Sequence, residues 1–162
     1  MKTGDLCFID DAFFEKVNDA NLKINYEETK RPHIVAFKDT KTSLFWVVPC
    51  SSQLKKYNKI LEHKTTRGID NKGIMIVKID GFKDMSALLF QDMFPVAQKY
   101  LILYERNEIA LNISNTKIYR KILNNSHYCV NRLEEGFRFS QTPPDVVRIK
   151  KIMEKDLQRE ER

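Results

Sequence analysis

Pro32-His-Ile-Val-Ala-Phe-Lys38, Asp39-Thr-Lys-Thr42 and Ser43-Leu-Phe-Trp-Val-Val48 decide how this chain folds. Pro32 keeps Arg31 out of helix and opens an extended run. His33–Lys38 and 43–48 are rich in β-branched and aromatic residues, and the four polar residues between them are turn formers. The pattern is an antiparallel hairpin. Because both strands are apolar almost without interruption, they need cover on both faces, which places the hairpin at the centre of a sheet.

Working outward, Gly4 to Ile9 reads as a strand, and Asp10 or Asp11 caps a short helix from Ala12 to Val17. Asn18 to Lys30 is a polar loop carrying Tyr26. Downstream, Pro49-Cys50-Ser51-Ser52 ends the second hairpin strand. Either serine serves as cap for a helix whose Leu54, Tyr57 and Leu61 form the buried stripe, with Lys55, Lys56 and Lys59 opposite. His63 to Lys72 reads as a loop, Gly73 to Ile79 as a strand, and Gly81 to Asp84 as a turn. Ala87 to Phe94 reads as one strand ending at Pro95, and Tyr100 to Tyr104 as another. Asn115 or Thr116 caps a long helix to about Leu133, with Ile118, Tyr119, Ile122 and Leu123 inward and Gly136 closing it. Pro143-Pro144 opens a last helix, Asp145 to Gln158, striped by Val146, Ile149, Met153 and Leu157. The sum is an α+β fold, a small antiparallel, barrel-like sheet of five or six strands with helices packed at its rim.

At 162 residues, with 42% hydrophobic and 31% charged side chains, the chain fits one globular domain spanning 1–162 and lies outside the disordered class. The longest stretch without charge, Thr42 to Leu54, is too short to cross a bilayer, and Asp5, Asp10 and Asp11 interrupt any signal-peptide pattern, so a cytoplasmic protein is expected. Cys7, Cys50 and Cys129 are an odd number with no CxxC pair, and His33, His63 and His127 form no ligand cassette. No cofactor or metal is expected.

The net charge is +6, yet between Lys30 and Lys72 ten basic residues face only Asp39, Glu62 and Asp70. That concentration points to an anion-binding surface, nucleic acid first. Antiparallel pairing sets the start of one hairpin strand beside the end of the other. It therefore gathers Tyr26, Lys30, Arg31 and His33 with Ser51, Ser52, Lys55 and Lys56 at one sheet edge, next to a helix N-terminus that attracts phosphate. Hydroxyls, cations and a helix terminus around one phosphate are what RNA cleavage without a metal requires. The 2′-hydroxyl attacks the neighbouring phosphorus, one proton is removed, one is supplied to the 5′-oxygen, and the extra negative charge is stabilised. His33 or a lysine depressed by its neighbours could carry the protons. Each residue also has a purely structural role open to it: the serines as caps, Tyr26 as a rim aromatic, His33 as a core histidine.

Tyr26-x3-Lys30-Arg31-Pro32, followed by the apolar hairpin and Pro49-Cys-Ser51-Ser52-x2-Lys55-Lys56, resembles the ToxN/AbiQ family of type III toxin–antitoxin endoribonucleases, in particular its CptN branch. Phe90-Gln-Asp-Met-Phe-Pro95-Val96 and Tyr119-Arg-Lys-Ile-Leu123 resemble further segments of it, so the likeness covers roughly residues 5 to 133. The resemblance implies a Kid/MazF-like fold and metal-free RNA cleavage in phage defence. It also implies a repetitive precursor RNA processed into small folded, pseudoknot-type repeats that bind and inhibit the toxin in a closed protein–RNA assembly. Carried over, the family's catalytic set falls on Tyr26, Lys30 or Arg31, Ser51, Ser52 and Lys55. Where the family often has its lysine two positions after the second hydroxyl residue, Gln53 and Leu54 intervene here, so Lys55 and Lys56 both qualify.

The RNA-binding set expected around this centre is Arg31, His33, Lys38, Lys56, Lys59, Lys64, Arg67 and Lys72. The sequence leaves open a non-catalytic RNA-binding regulator using the same basic groove, and a MazF-like toxin neutralised by a protein. Only the nucleases produce new RNA ends.

Overall fold

In the computed structural model, which describes residues 1–26, 28–160 and 162, the hairpin is formed by β2 (His33–Lys38) and β3 (Phe45–Ser51). Their register pairs His33 with Pro49, Ile34 with Val48 and Val35 with Val47, and a bulge lies between Val35 and Phe37. β1 (Leu6–Ile9) pairs with β2, and the cap of α1 (Asp11–Val17) is Asp10, whose carboxylate accepts the Ala12 N–H. After α2 (Leu54–Thr66) come β4 (Met75–Lys78), β5 (Met85–Leu88), β6 (Phe94–Val96), β7 (Leu101–Leu103) and the small hairpin β8 (Glu105–Arg106) and β9 (Ile109–Ala110). α3 (Thr116–Glu134) and α4 (Val146–Glu160) complete the chain.

The main sheet has seven antiparallel strands in the order β4-β5-β3-β2-β1-β7, with β6 also on β3. The α+β class and antiparallel sheet are as the sequence indicates, but the sheet stays open, with β4 and β7 at its ends. Both faces of the hairpin are covered. Ile34, Ala36, Trp46 and Val48 pack with Ile122, Cys129 and Leu133 of α3. Val35, Phe45 and Val47 pack on the other face with Phe13 of α1 and Ile149 and Met153 of α4. This two-sided burial explains the unbroken apolar runs.

Three expectations are corrected. β3 does not end at Val48 but runs through Pro49 to Ser51. α2 begins after the two serines, its N-cap position is Gln53 with no side-chain bond, and it continues to Thr66, so the first four residues of the expected His63–Lys72 loop are helical. Gly68, at φ +65°, stops it. Finally, Ala87–Phe94 is not one strand: β5 and β6 are separated by a single 3₁₀ turn, Phe90–Asp92. The cause is Pro49. It has no N–H to give the neighbouring chain, its carbonyl accepts the Leu89 N–H at 3.0 Å, and the ladder breaks there. Among the described residues no helix is long and apolar enough to cross a membrane.

α4 is fastened by one buried carboxylate. Asp156 accepts hydrogen bonds from Lys16, from Lys99 at 2.8 Å and from the Tyr100 hydroxyl at 2.7 Å. Burial alone would raise this carboxyl, but the three donors outweigh it and hold it well below the usual carboxylate range. Asp156→Ala is expected to lower unfolding free energy by about 1–3 kcal/mol in urea titration. Because its folded-state value is depressed, Asp156 stabilises fully above the unfolded value of about 3.9, and the contribution disappears as pH falls through the folded one. The stability gap between wild type and variant should therefore shrink on acidification.

Candidate active site

The β2–β3 register sets the segment before His33 against the end of β3. The Cys50 N–H donates to Pro32 O at 2.9 Å, and the Arg31 guanidinium donates back to Cys50 O at 3.2 Å. Arg31 also donates to the Tyr26 hydroxyl at 2.9 Å, with its guanidinium carbon 4.8 Å from the Tyr26 ring centre. Asn25 fixes the approach: its amide donates to Ile9 O at 2.9 Å and to Asp11 at 2.7 Å, and its oxygen accepts the Arg31 N–H at 2.9 Å. The loop from Asn18 is thus tied to the end of β1 and the start of α1 before it delivers Tyr26 and Arg31.

These residues line a cleft of about 310 Å³. One wall is Tyr26, Arg31, Pro32, Ser51 and Ser52. The opposite wall comes from distant sequence: Phe82 to Asp84 of the β4–β5 turn and Met85 and Ser86 at the start of β5, with Tyr104 and Arg106. Ser51 is buried, and its hydroxyl accepts the Gln53 N–H at 3.2 Å. Ser52 is exposed and bonds no described side chain; only its carbonyl is used, by the Leu54 N–H at 2.8 Å. Neither serine is the helix cap. α2 consequently presents an uncapped N-terminus beside the cleft, where unpaired N–H groups and the positive dipole end favour an anion.

Of the catalytic set read from the sequence, Tyr26, Ser51 and Ser52 meet in the cleft together with Arg31, which the sequence offered both as the alternative to Lys30 and as an RNA contact. Lys30 is exposed next to Arg31 but does not line the cleft. Lys55, Lys56 and Lys59 lie together with Gln53 in an adjoining open groove on the first turns of α2.

His33 departs most from expectation. It is 0% exposed, its ring packs edge-on against Phe94 at 5.5 Å, and its Nδ1–H donates to Arg31 O at 2.8 Å. Burial pulls its pKa down to about 3, so the ring stays neutral and reaches neither RNA nor a reacting proton. Its role is to hold the Arg31 backbone.

The remaining basic residues are dispersed. Lys38 sits at the far end of β2, about 17 Å along the strand from His33, over the Phe45 ring at 5.4 Å. Lys64 and Arg67 are at the far end of α2, about 15–20 Å from Leu54. Lys64 donates to Phe139 O at 2.7 Å, and burial lowers its pKa. Lys72 is exposed over the Tyr128 ring at 4.2 Å. Cys50, at the floor of the cleft, is buried and its thiol pushed up to about 12, which leaves it unreactive. Among the described residues no group of three His, Cys, Asp or Glu is arranged to hold a metal ion.

Three solved structures resemble the chain over nearly its whole length. One is AbiQ, a lactococcal anti-phage endoribonuclease of a type III toxin–antitoxin system, at TM-score 0.68 and 16% identity over 98% of each chain. The second belongs to a bacterial antiviral system regulated by a processed non-coding RNA, at TM-score 0.64 and 15% identity over 96% of this chain and 98% of the other. The third belongs to bacterial type III toxin–antitoxin systems in which a non-coding RNA pseudoknot selectively inhibits the toxin, at TM-score 0.56 and 14% identity over 99% and 100%. By sequence, no family model and no curated protein matches the chain. The chain therefore has the AbiQ fold, and at these identities the likeness is one of fold.

The two serines separate by stability. Ser52→Ala should leave the melting transition within about 0.5 kcal/mol of wild type, because nothing in the fold leans on its hydroxyl. Ser51→Ala should cost about 0.5–1.5 kcal/mol through the lost Gln53 bond. Thermal denaturation of both variants checks this.

Proposed function

We propose that this chain is an endoribonuclease that cleaves RNA by 2′-hydroxyl attack and acts in the cytoplasm as the toxin of a type III system, restrained by a small folded antitoxin RNA. The observation that carries the reading is the single cleft in which Tyr26, Arg31, Ser51 and Ser52 converge beside the uncapped N-terminus of α2. Its fold is shared with AbiQ, a type III endoribonuclease, which agrees with this chemistry.

In this mechanism the scissile phosphate sits between Arg31 and the α2 terminus, with Lys55 or Lys56 as a second cation. These fixed charges favour the pentacoordinate state, which carries one more negative charge than the diester. Ser51 and Ser52 hydroxyls donate to non-bridging oxygens. Because Arg31 donates to the Tyr26 oxygen, the Tyr26 O–H remains free to donate in turn, and it serves the departing 5′-oxygen. With His33 withdrawn into the core, the 2′-hydroxyl proton passes to whichever lysine of the set Lys30, Lys55 and Lys56 reacts as its free amine, a different residue from the lysine that serves as the second cation. No metal is needed for any of these steps.

The antitoxin RNA and target RNA both enter along Lys55, Lys56 and Lys59. The exposed cations at the far ends of β2 and α2, Lys38, Arg67 and Lys72, extend the contact to a folded RNA larger than the cleft. Repeats of one precursor, each with two ends, would bridge successive proteins into a closed ring.

Incubation with RNA in EDTA should give fragments ending in 2′,3′-cyclic phosphate and 5′-hydroxyl, with DNA of the same sequence uncut. Arg31→Ala should lower the single-turnover rate by about 10²–10³-fold. Binding without new ends would instead identify an RNA-binding regulator. Independently, Lys56→Ala or Lys59→Ala should weaken RNA binding and reduce the slope of log K against log salt by about 0.7 per lost phosphate contact. Titration at several salt concentrations measures it.

A further inference from the structure

The reaction just described uses one wall of the cleft, and the other wall is built for a different task. Tyr104 is flanked by Phe8, with ring centres 4.4 Å apart, and by Phe82 at 5.9 Å, and Met85 is 40% exposed beside them. The turn that carries Phe82 to Asp84 is held from several sides. Lys78 donates to the carbonyls of Phe82 and Lys83, Arg106 donates to Gly81 O, and Ser114 donates to Asp80 at 2.6 Å. A turn this thoroughly fastened presents a fixed surface. On it stands Asp84, an exposed carboxylate that lines the cleft and makes no hydrogen bond or ion pair with any described residue.

We propose that this wall takes an unpaired guanine of the RNA, stacked on the Phe82–Tyr104 aromatics and read by Asp84. The inference deepens the nuclease reading by naming the base its cleft prefers. The volume, about 310 Å³, is at the small end of the ~300–1,000 Å³ typical of ligand sites. Stacking on aromatics accepts any base, so selectivity must come from the polar group. An ionised carboxylate only accepts hydrogen bonds. Guanine alone sets two donors side by side, N1–H and the N2 amine, which match its two oxygens. Adenine and cytosine each place a ring-nitrogen lone pair next to their one amine, and uracil flanks its N3–H with two carbonyl oxygens. All three turn an acceptor toward the carboxylate. Arg106, on the same wall, retains guanidinium N–H groups beyond the one given to Gly81, and these suit guanine O6 and N7.

The test reads binding separately from cleavage. Fluorescence anisotropy is measured with 2′-fluoro oligouridylates, which cannot be cut, carrying one central guanine, adenine, cytosine or inosine. Wild type should bind the guanine oligomer about tenfold more tightly than the others, and inosine, lacking the N2 amine, should lose several-fold. Asp84→Ala should bring all of them within about twofold. Asp84→Asn, whose amide offers one acceptor and one donor, should also remove the guanine preference, because every base presents a matching donor–acceptor pair. Melting curves of both variants should overlay wild type, since Asp84 supports nothing in the fold. Equal affinity for every base in wild type, or a guanine preference that survives both substitutions, overturns the proposal. The same sequences with 2′-hydroxyls, incubated in EDTA, test the nuclease reading: a guanine preference without cleavage would remove that reading and leave the base site standing.

Discussion

The pairing of His33 with Pro49 is the constraint from which the site follows. Once those two residues face each other, Pro32 must lie beside Cys50 and Arg31 beside Ser51, with no freedom left beyond side-chain rotamers. The backbone bond from Cys50 to Pro32 and the guanidinium bond from Arg31 to Cys50 O express that register twice, once in main chain and once in side chain. His33 contributes from below by fixing the Arg31 carbonyl, and its neutrality matters. A charged ring buried under Arg31 would push against the guanidinium it supports.

Pro49 does a second service on its other edge. Because it ends the ladder, β3 is shared between β6 along Phe45–Val47 and β5 along Cys50–Ser51. Pairing Ser51 with Ala87 then fixes where the chain before Ala87 must go: past the end of β3, alongside Ser52. Ser86, Met85, Asp84 and Phe82 reach the cleft by that route. A cyclic residue without an N–H thus determines both walls, the near one by pairing with His33 and the far one by refusing to pair further.

Much of this was legible in the sequence, for physical reasons that can be named. The His33–Lys38 strand was readable to the residue because Pro32 and Asp39 bound it on both sides, and the caps were readable to within a pair, Asp10 or Asp11 and Asn115 or Thr116, because a short acceptor before an amphipathic run has few other uses; the structure selects Asp10 and Asn115. Ser51 and Ser52 look like caps for the same reason, yet burial of Cys50 and Ser51 between β2 and β5 keeps the strand going and moves the helix two residues on. Lysine and histidine side chains were readable as charge but not as position: 0% exposure of His33 depends on Phe94, sixty residues away, which no local pattern announces. The far wall was invisible for a similar reason. Gly81 marked a turn correctly, and only the sheet order makes that turn face Tyr26.

The distribution of charge gains a meaning from the same geometry. The ten cations between Lys30 and Lys72 look like one patch in sequence, but the fold divides them between the cleft end and sites some 15–20 Å away along β2 and α2. At physiological ionic strength the screening length is about 8 Å, so a phosphate in the cleft hardly senses Lys38, Arg67 or Lys72. Under the proposed function this separates two kinds of RNA. A short unfolded strand meets Arg31 and the α2 lysines and nothing more. A folded RNA that reaches both groups collects additional counterion release without adding any charge at the reacting phosphate. The same surface can then hold an inhibitor more tightly than a substrate, with affinity for the one built from cations that play no part in cutting the other.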